Sequence, residues 1–173
     1  MWSSESALRT GARACAVVLC AVALGACGFH LRGDAAYPFK TIFVSAPSSP
    51  PLAAELTRAI AGGSGATIAE SPAAAEVVLA VPFVTDDKDV LSLSSGGSVR
   101  EYQIVKRVQF RLHDKDGNDW MPAGEIVIRR AYTFNETQVL ARDLQEQRLL
   151  REMQTDAVQQ IVRRLQAAKK PAA

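Results

Sequence analysis

Beyond position 27 this 173-residue chain contains no cysteine; its thiols are Cys15, Cys20 and Cys27. Everything downstream therefore lacks a disulfide framework, a cysteine metal site and a cysteine nucleophile. Histidine is nearly as scarce. His30 and His113 are the two present, without the spacing of a HExxH helix, so a zinc centre has no ligand set to draw on. Ser92–Ser98 holds a Gly-Gly pair but no Gly-Lys-Ser/Thr, and no Gly-x-Ser-x-Gly elbow occurs. An enzyme would have little to work with, and no cofactor is expected. A charge imbalance is also missing. The 20 Lys and Arg face 18 Asp and Glu, a net +2, which argues against a nucleic-acid partner. No apolar run reaches the roughly 20 residues of a comfortable membrane span, and no internal repeat is visible.

One short apolar run is present, Ala14–Leu24, behind Arg9 and Arg13. That is the layout of a secretory signal peptide. It closes on Leu24-Gly25-Ala26-Cys27, a bacterial lipobox. The expectation is a lipoprotein signal peptide over residues 1–26, cleaved before Cys27, with diacylglycerol on the thiol of Cys27. The competing readings are an ordinary cleaved signal or a single spanning helix, with the cysteine there by accident; the run is short for a span. Removing residues 1–26 subtracts Glu5, Arg9 and Arg13 and leaves 147 residues with a net charge of +1. That length suits one domain with a substantial core. A single acyl chain anchors only marginally, whereas a triacylated, palmitate-bearing cysteine anchors firmly. Gly28, where Asp would signal inner-membrane retention, points to the periplasmic face of the outer membrane of a Gram-negative bacterium.

Residues 27–36 read as a lipidated tether and 37–168 as a single α+β domain, with 169–173 a frayed tail. Phe39–Ser45 alternates like a strand. Ser48-Ser49-Pro50-Pro51 starts a short helix with a hydroxyl cap; Leu52, Leu56 and Ile60 hold its apolar stripe, and Gly62-Gly63 stops it. Ala66–Ala69 suggests a short strand and Pro72–Glu76 a turn. Val77–Val84 reads as a strand covered on both faces, with Pro82 marking an edge or bulge. Asp86–Asp89 reads as a charged break, and Ser94–Ser98 as a hairpin tip. Arg100–His113 is the clearest strand: Tyr102, Ile104, Val108, Phe110 and Leu112 share one face, interrupted by Lys106. Glu125–Phe134 returns. A last helix, capped by Asn135 or Asp143, carries Leu140, Leu144, Leu150, Met153, Ala157, Ile161 and Leu165 as its stripe. The order β-α-β-β-β-β-α predicts an α+β fold: two helices packed on one face of a mixed, mainly antiparallel four- to five-stranded sheet.

Asp114, Asp116, Asn118 and Glu125 echo a calcium loop, but Asp119 stands where its glycine belongs and the flanks are strands, so a hairpin turn is expected. Trp120-Met121-Pro122 is either a contact surface or a cover for the hairpin end. Arg100, Lys106, Arg107, Arg111, Arg129 and Arg130 fall on two adjacent strands, where cross-strand neighbours lie about 5 Å apart. Such cations repel unless an anion or acidic partner intervenes. A phosphorylated glycolipid would satisfy them; so would a solvated face balanced by Glu101 and Glu125.

Cys27-Gly28-Phe29-His30-Leu31-Arg32-Gly33 resembles the mature start of the LptE (RlpB) family of LPS-assembly lipoproteins. The resemblance continues through Val90-Leu91-Ser92-Leu93, Arg100-Glu101-Tyr102-Gln103, the strand to Leu112, Arg130-Ala131-Tyr132, Glu152-Met153 and Asp156-Ala157. It implies an outer-membrane lipoprotein that sits as a plug inside the barrel of the LPS translocon subunit LptD, helps that barrel assemble, and binds lipopolysaccharide. Arg100, Lys106, Arg107, Arg111 and Arg129 are nominated for LPS on charge and strand position alone. A free-standing periplasmic adaptor or small-ligand-binding lipoprotein unrelated to LPS is the rival reading.

Overall fold

The computed structural model describes residues 36–63, 65–133 and 139–171, with side chains in the last segment from residue 143 onward. Cys27, the signal segment, most of the tether, the Asn135 cap and the Leu140 side chain lie outside the described residues. The elements are β1 (Thr41–Ser45), α1 (Pro50–Ala61), β2 (Thr67–Ile68), a 3-10 turn at Pro72–Ala74, β3 (Val77–Leu93), β4 (Val99–Asp114), β5 (Asp119–Thr133) and α2 (Val139–Gln166). Spatially the strands run β2-β1-β3-β4-β5. β1 is parallel to both neighbours, and β3, β4 and β5 form an antiparallel meander. The crossover through α1 is what a parallel β1–β2 pair requires.

Each helix follows from its sequence, with two departures. α1 buries Leu52, Leu56 and Ile60 at four-residue spacing. Ser49 makes no side-chain cap bond: prolines 50 and 51 have no amide hydrogens to satisfy, so the hydroxyl has less to do. α2 buries Met153, Ala157, Val158, Ile161 and Leu165, but Leu144 of the expected stripe is 61% exposed. The sheet beside the first turns of α2 presents Lys88 and Tyr132, a polar floor that offers a leucine little. From Met153 on, α2 is held by fully buried side chains; before it, the half-buried Leu149 and Leu150 pack against the core beside the Glu146 contacts. Each fully buried aliphatic side chain contributes about 1.5–3 kcal/mol, whereas an exposed ion pair contributes roughly 0–1 kcal/mol.

β3 is longer than its sequence suggests, running straight through Asp86–Asp89. Its charges survive in a strand because neighbours neutralise them: Asp86 meets Lys106, Asp87 meets Arg107, and Lys88 meets Glu146. Pro82 does mark a bulge. The register shifts between Ala80 and Phe83, so odd positions face the helices before it and even positions after it. A one-residue shift exchanges the faces of a strand. Among the described residues, β3 from Phe83 on pairs only with β4. β5 also begins earlier than expected, because Met121 pairs with Leu112. Trp120 is a cover: it is buried, with its ring edge-on to Phe39 at 6.3 Å. No described helix is long and apolar enough to cross a membrane.

Candidate functional site

Both helices lie on one face of the sheet, where Ile104, Val108, Phe110 and Leu112 join Leu56, Ile161 and Leu165 in the core. Alternation along β4 sends Gln103, Arg107, Gln109 and Arg111 to the other face. β5 residues share the face of their cross-strand partners. Arg129 stands opposite Val105 and so joins Arg107. The three strands align Asp87, Val105 and Arg129 in one row, with Thr85, Arg107 and Val127 in the next. Arg107 and Arg129 are diagonal neighbours, about 7–8 Å apart at the backbone. Arg111 lies four residues further along β4, roughly 13 Å away.

These arginines differ in their partners. Arg107 Nη1 is 3.3 Å from Asp87 Oδ2, with both side chains well exposed. Arg111 Nε donates to Asp119 Oδ1 at 2.5 Å and Nη2 donates to the Gly117 carbonyl at 3.0 Å. Neutralisation therefore comes from Asp87 and Asp119, not from Glu101 and Glu125; Glu101 instead accepts from the Ser92 hydroxyl at 2.8 Å. Arg129 is exposed and forms no ion pair with a carboxylate among the described residues.

The other nominated cations, Lys106 and Arg100, sit elsewhere, as does Arg130, which is not nominated. Lys106 is 4% exposed on the helix-covered side, its ammonium between the two oxygens of Asp86. Arg100 is exposed near the distal end of β4, beside the Ser94–Ser98 turn. Arg130 points to the helix side and binds Asp156 at 2.6 Å.

Sequence reading overlooked Phe83. It is 63% exposed and stands opposite Gln109, on the open face with the arginines. Simple alternation from Val77, Leu79 and Val81 buries it; Pro82 was the signal that the register breaks. Val90, Leu91 and Leu93 at the far end of β3 are also about half exposed.

The calcium-like segment is a hairpin turn. The Asp114 carboxylate accepts from the amides of Asp116 and Asn118 at 2.9 and 2.8 Å and from the Asn118 side chain at 3.0 Å. Gly117 takes the left-handed conformation the turn needs, at φ +87. The Asn118 side-chain bond leads in holding Asp114 below its ordinary carboxylate range; desolvation opposes it, and the amides of Asn118, Asp116 and Gly117 assist. Among the described residues no group of three His, Cys, Asp or Glu could hold a metal ion.

Fold and surface together define a class: an α+β sandwich whose sheet is buried under two helices on one side and presents exposed arginines and a phenylalanine on the other. The sequence profile of the LptE lipopolysaccharide-assembly family matches residues 39–165. This chain belongs to that family. It is 32% identical to the LPS-assembly lipoprotein LptE of Yersinia enterocolitica over 143 residues, which cover 80% of this chain and 68% of that one. Identity to the Pectobacterium atrosepticum protein of the same name is 30%, covering 80% of this chain and 76% of the relative. An NMR structure of lipoprotein B from Nitrosomonas europaea superposes with a TM-score of 0.71 at 34% identity, covering 81% of this chain and 91% of that one.

Proposed function

We propose that this chain is an outer-membrane lipoprotein, anchored through acylated Cys27, that plugs and helps assemble the β-barrel translocon subunit LptD and binds lipopolysaccharide on its way to the outer leaflet. The observation that carries the lipopolysaccharide half is the open face, where Arg107, Arg111 and Arg129 stand with the exposed Phe83. Guanidinium groups bind phosphate oxygens through paired hydrogen bonds, and an exposed aromatic ring gains by covering acyl chain. Membership of a lipopolysaccharide-assembly family supplies the ligand class. The experiment is affinity purification of the C-terminally tagged full-length chain from detergent-solubilised outer membranes, with mass spectrometry of what accompanies it. A large β-barrel in near-stoichiometric amount is the expected companion. A lone lipoprotein under several mild detergents overturns the plug and leaves the free-standing adaptor.

A further inference from the structure

Three parts of the chain meet at one end of the sheet. Thr41 opens β1 there, Val77 opens β3, and β4 and β5 join through the Asp114–Asn118 turn. The C-terminus of α2 reaches the same end, where the Lys169 amide donates to the Trp120 carbonyl at 3.3 Å. So does the start of the described chain: Tyr37 stacks on Phe39 with ring centres 5.3 Å apart, and Phe39 meets Trp120 edge-on. The segment leading back to Cys27 therefore leaves the domain beside the end of α2. Five cations stand here. Lys115 lies in the turn, Arg163 and Arg164 in the last turn of α2, and Lys169 and Lys170 just beyond it. All five are exposed, and none forms an ion pair among the described residues. The acids of this end are largely engaged. Asp119 binds Arg111, Asp114 accepts amides of its own turn, and Glu76 accepts the Lys40 amide at 2.8 Å; Asp116 is exposed. A helix C-terminus draws cations, but its dipole amounts to about half a charge, and Lys115 belongs to another element. The excess suits an anionic surface.

We infer that this end of the domain is a docking face for the anionic phospholipid headgroups of the bilayer that holds the Cys27 acyl chains, an inference that rests on the anchoring proposed above. The chain from Cys27 to Ala36 spans at most about 30 Å, so the tether keeps the face within reach of the bilayer. Attraction between exposed charges and a membrane fades over roughly 8 Å at physiological salt. The tether thus brings the cations close, and the cations fix which end of the domain meets the lipid. Each basic residue at such a surface gains about fivefold in affinity. Docked this way, the lipoprotein before it meets its barrel turns the half-exposed Val90, Leu91 and Leu93, at the far end of β3, away from the membrane.

Amine labelling of the full-length mature protein, reconstituted in nanodiscs without its barrel and read by mass spectrometry, tests this. Discs of phosphatidylcholine are compared with discs of equal parts phosphatidylglycerol and phosphatidylcholine. Lys115, Lys169 and Lys170 should label at least about fivefold more slowly in the anionic discs. Salt at about 1 M, which cuts the screening length to roughly 3 Å, should restore them. Lys88, on the distal half of β3, should label alike in both discs. Lys169→Gln with Lys170→Gln changes residues beyond the last helical turn; it should speed the labelling of Lys115 in the anionic discs while the melting temperature holds. The same spectra give the mass of the N-terminal peptide. An acylated Cys27 with equal labelling in both discs overturns the docking face and leaves the anchor standing. An unmodified Cys27 overturns the anchor and the face with it. Protection that appears only when lipopolysaccharide is added to the neutral discs assigns this end to lipopolysaccharide and overturns the phospholipid face.

Discussion

Lys106 Nζ stands 2.7 Å from Asp86 Oδ1 and 2.9 Å from Oδ2, directly across the strand pair, with the lysine 4% exposed and the aspartate side chain 41%. The pair is buried at one end only, so its two members should respond unequally to substitution. Asp86→Ala strands an ammonium in the core, a change that costs about 3–5 kcal/mol. Lys106→Met fills the same volume and leaves a carboxylate that water still reaches, a change of roughly 1 kcal/mol or less. Urea unfolding of the two variants measures the asymmetry; equal losses would show that the lysine is not the buried partner.

The three open-face arginines separate binding from stability. Arg129 has no described acidic partner, so Arg129→Glu should weaken binding to lipopolysaccharide micelles while the melting temperature stays within about 2 °C, as surface changes of a few tenths of a kcal/mol do. Charge reversal at both Arg107 and Arg111 should weaken it further. That double variant also gives up two exposed ion pairs, worth roughly 0–1 kcal/mol each, so a fall of a few degrees is allowed. Binding unchanged in both variants would move the lipopolysaccharide site off this face.

How much of this could be read in advance follows from what local pattern records. Alternation along β4 told Arg107 from Lys106 because the side-chain period of a strand is two. Leu52, Leu56 and Ile60 announced the buried side of α1 in the same way. Phe83 could not be placed, because the bulge at Pro82 exchanges the faces of β3 and the residues around it do not say by how much the register moves. Asp86–Asp89 looked like a break because the partners that neutralise it, Lys106, Arg107 and Glu146, are remote in sequence. Leu144 kept helical spacing with its stripe, yet the stripe outruns the apolar floor beneath it. Apart from the Ser49 cap, which its own neighbouring prolines undo, each miss concerns what lies across from a residue; each success concerns what the residue's own strand or helix repeats.

Cys27 carries a prediction that needs no side-chain geometry. Cys27→Ala should leave the melting temperature of the folded domain unchanged, because the first described core residues, Tyr37 and Phe39, lie ten or more positions beyond it. If Cys27 is acylated as proposed, the variant should leave the membrane fraction, because acyl chains would then supply the anchoring energy. Fractionation with circular dichroism on the soluble form tests both. A variant that stays in the membrane pellet would argue for an anchor other than the thioether lipid.

Asp114 gives the fold a contribution that depends on acid. Its carboxylate lies below its ordinary pKa of 3.8, chiefly because the Asn118 side chain donates to it, and the amides of Asn118, Asp116 and Gly117 add to that. A carboxylate whose folded pKa is depressed stabilises the fold above its unfolded pKa, and that stability is lost as pH falls through the folded value. Asp114→Ala should therefore lower the melting temperature at neutral pH, with the gap to the parent chain narrowing below about pH 3.8. Asp114→Asn keeps an oxygen for the Asp116 and Asn118 amides, so it should fall between the two and show a flatter profile. Melting curves across this acid range distinguish the cases. A gap that stays constant with pH would mean the turn needs the shape of the side chain and not its charge.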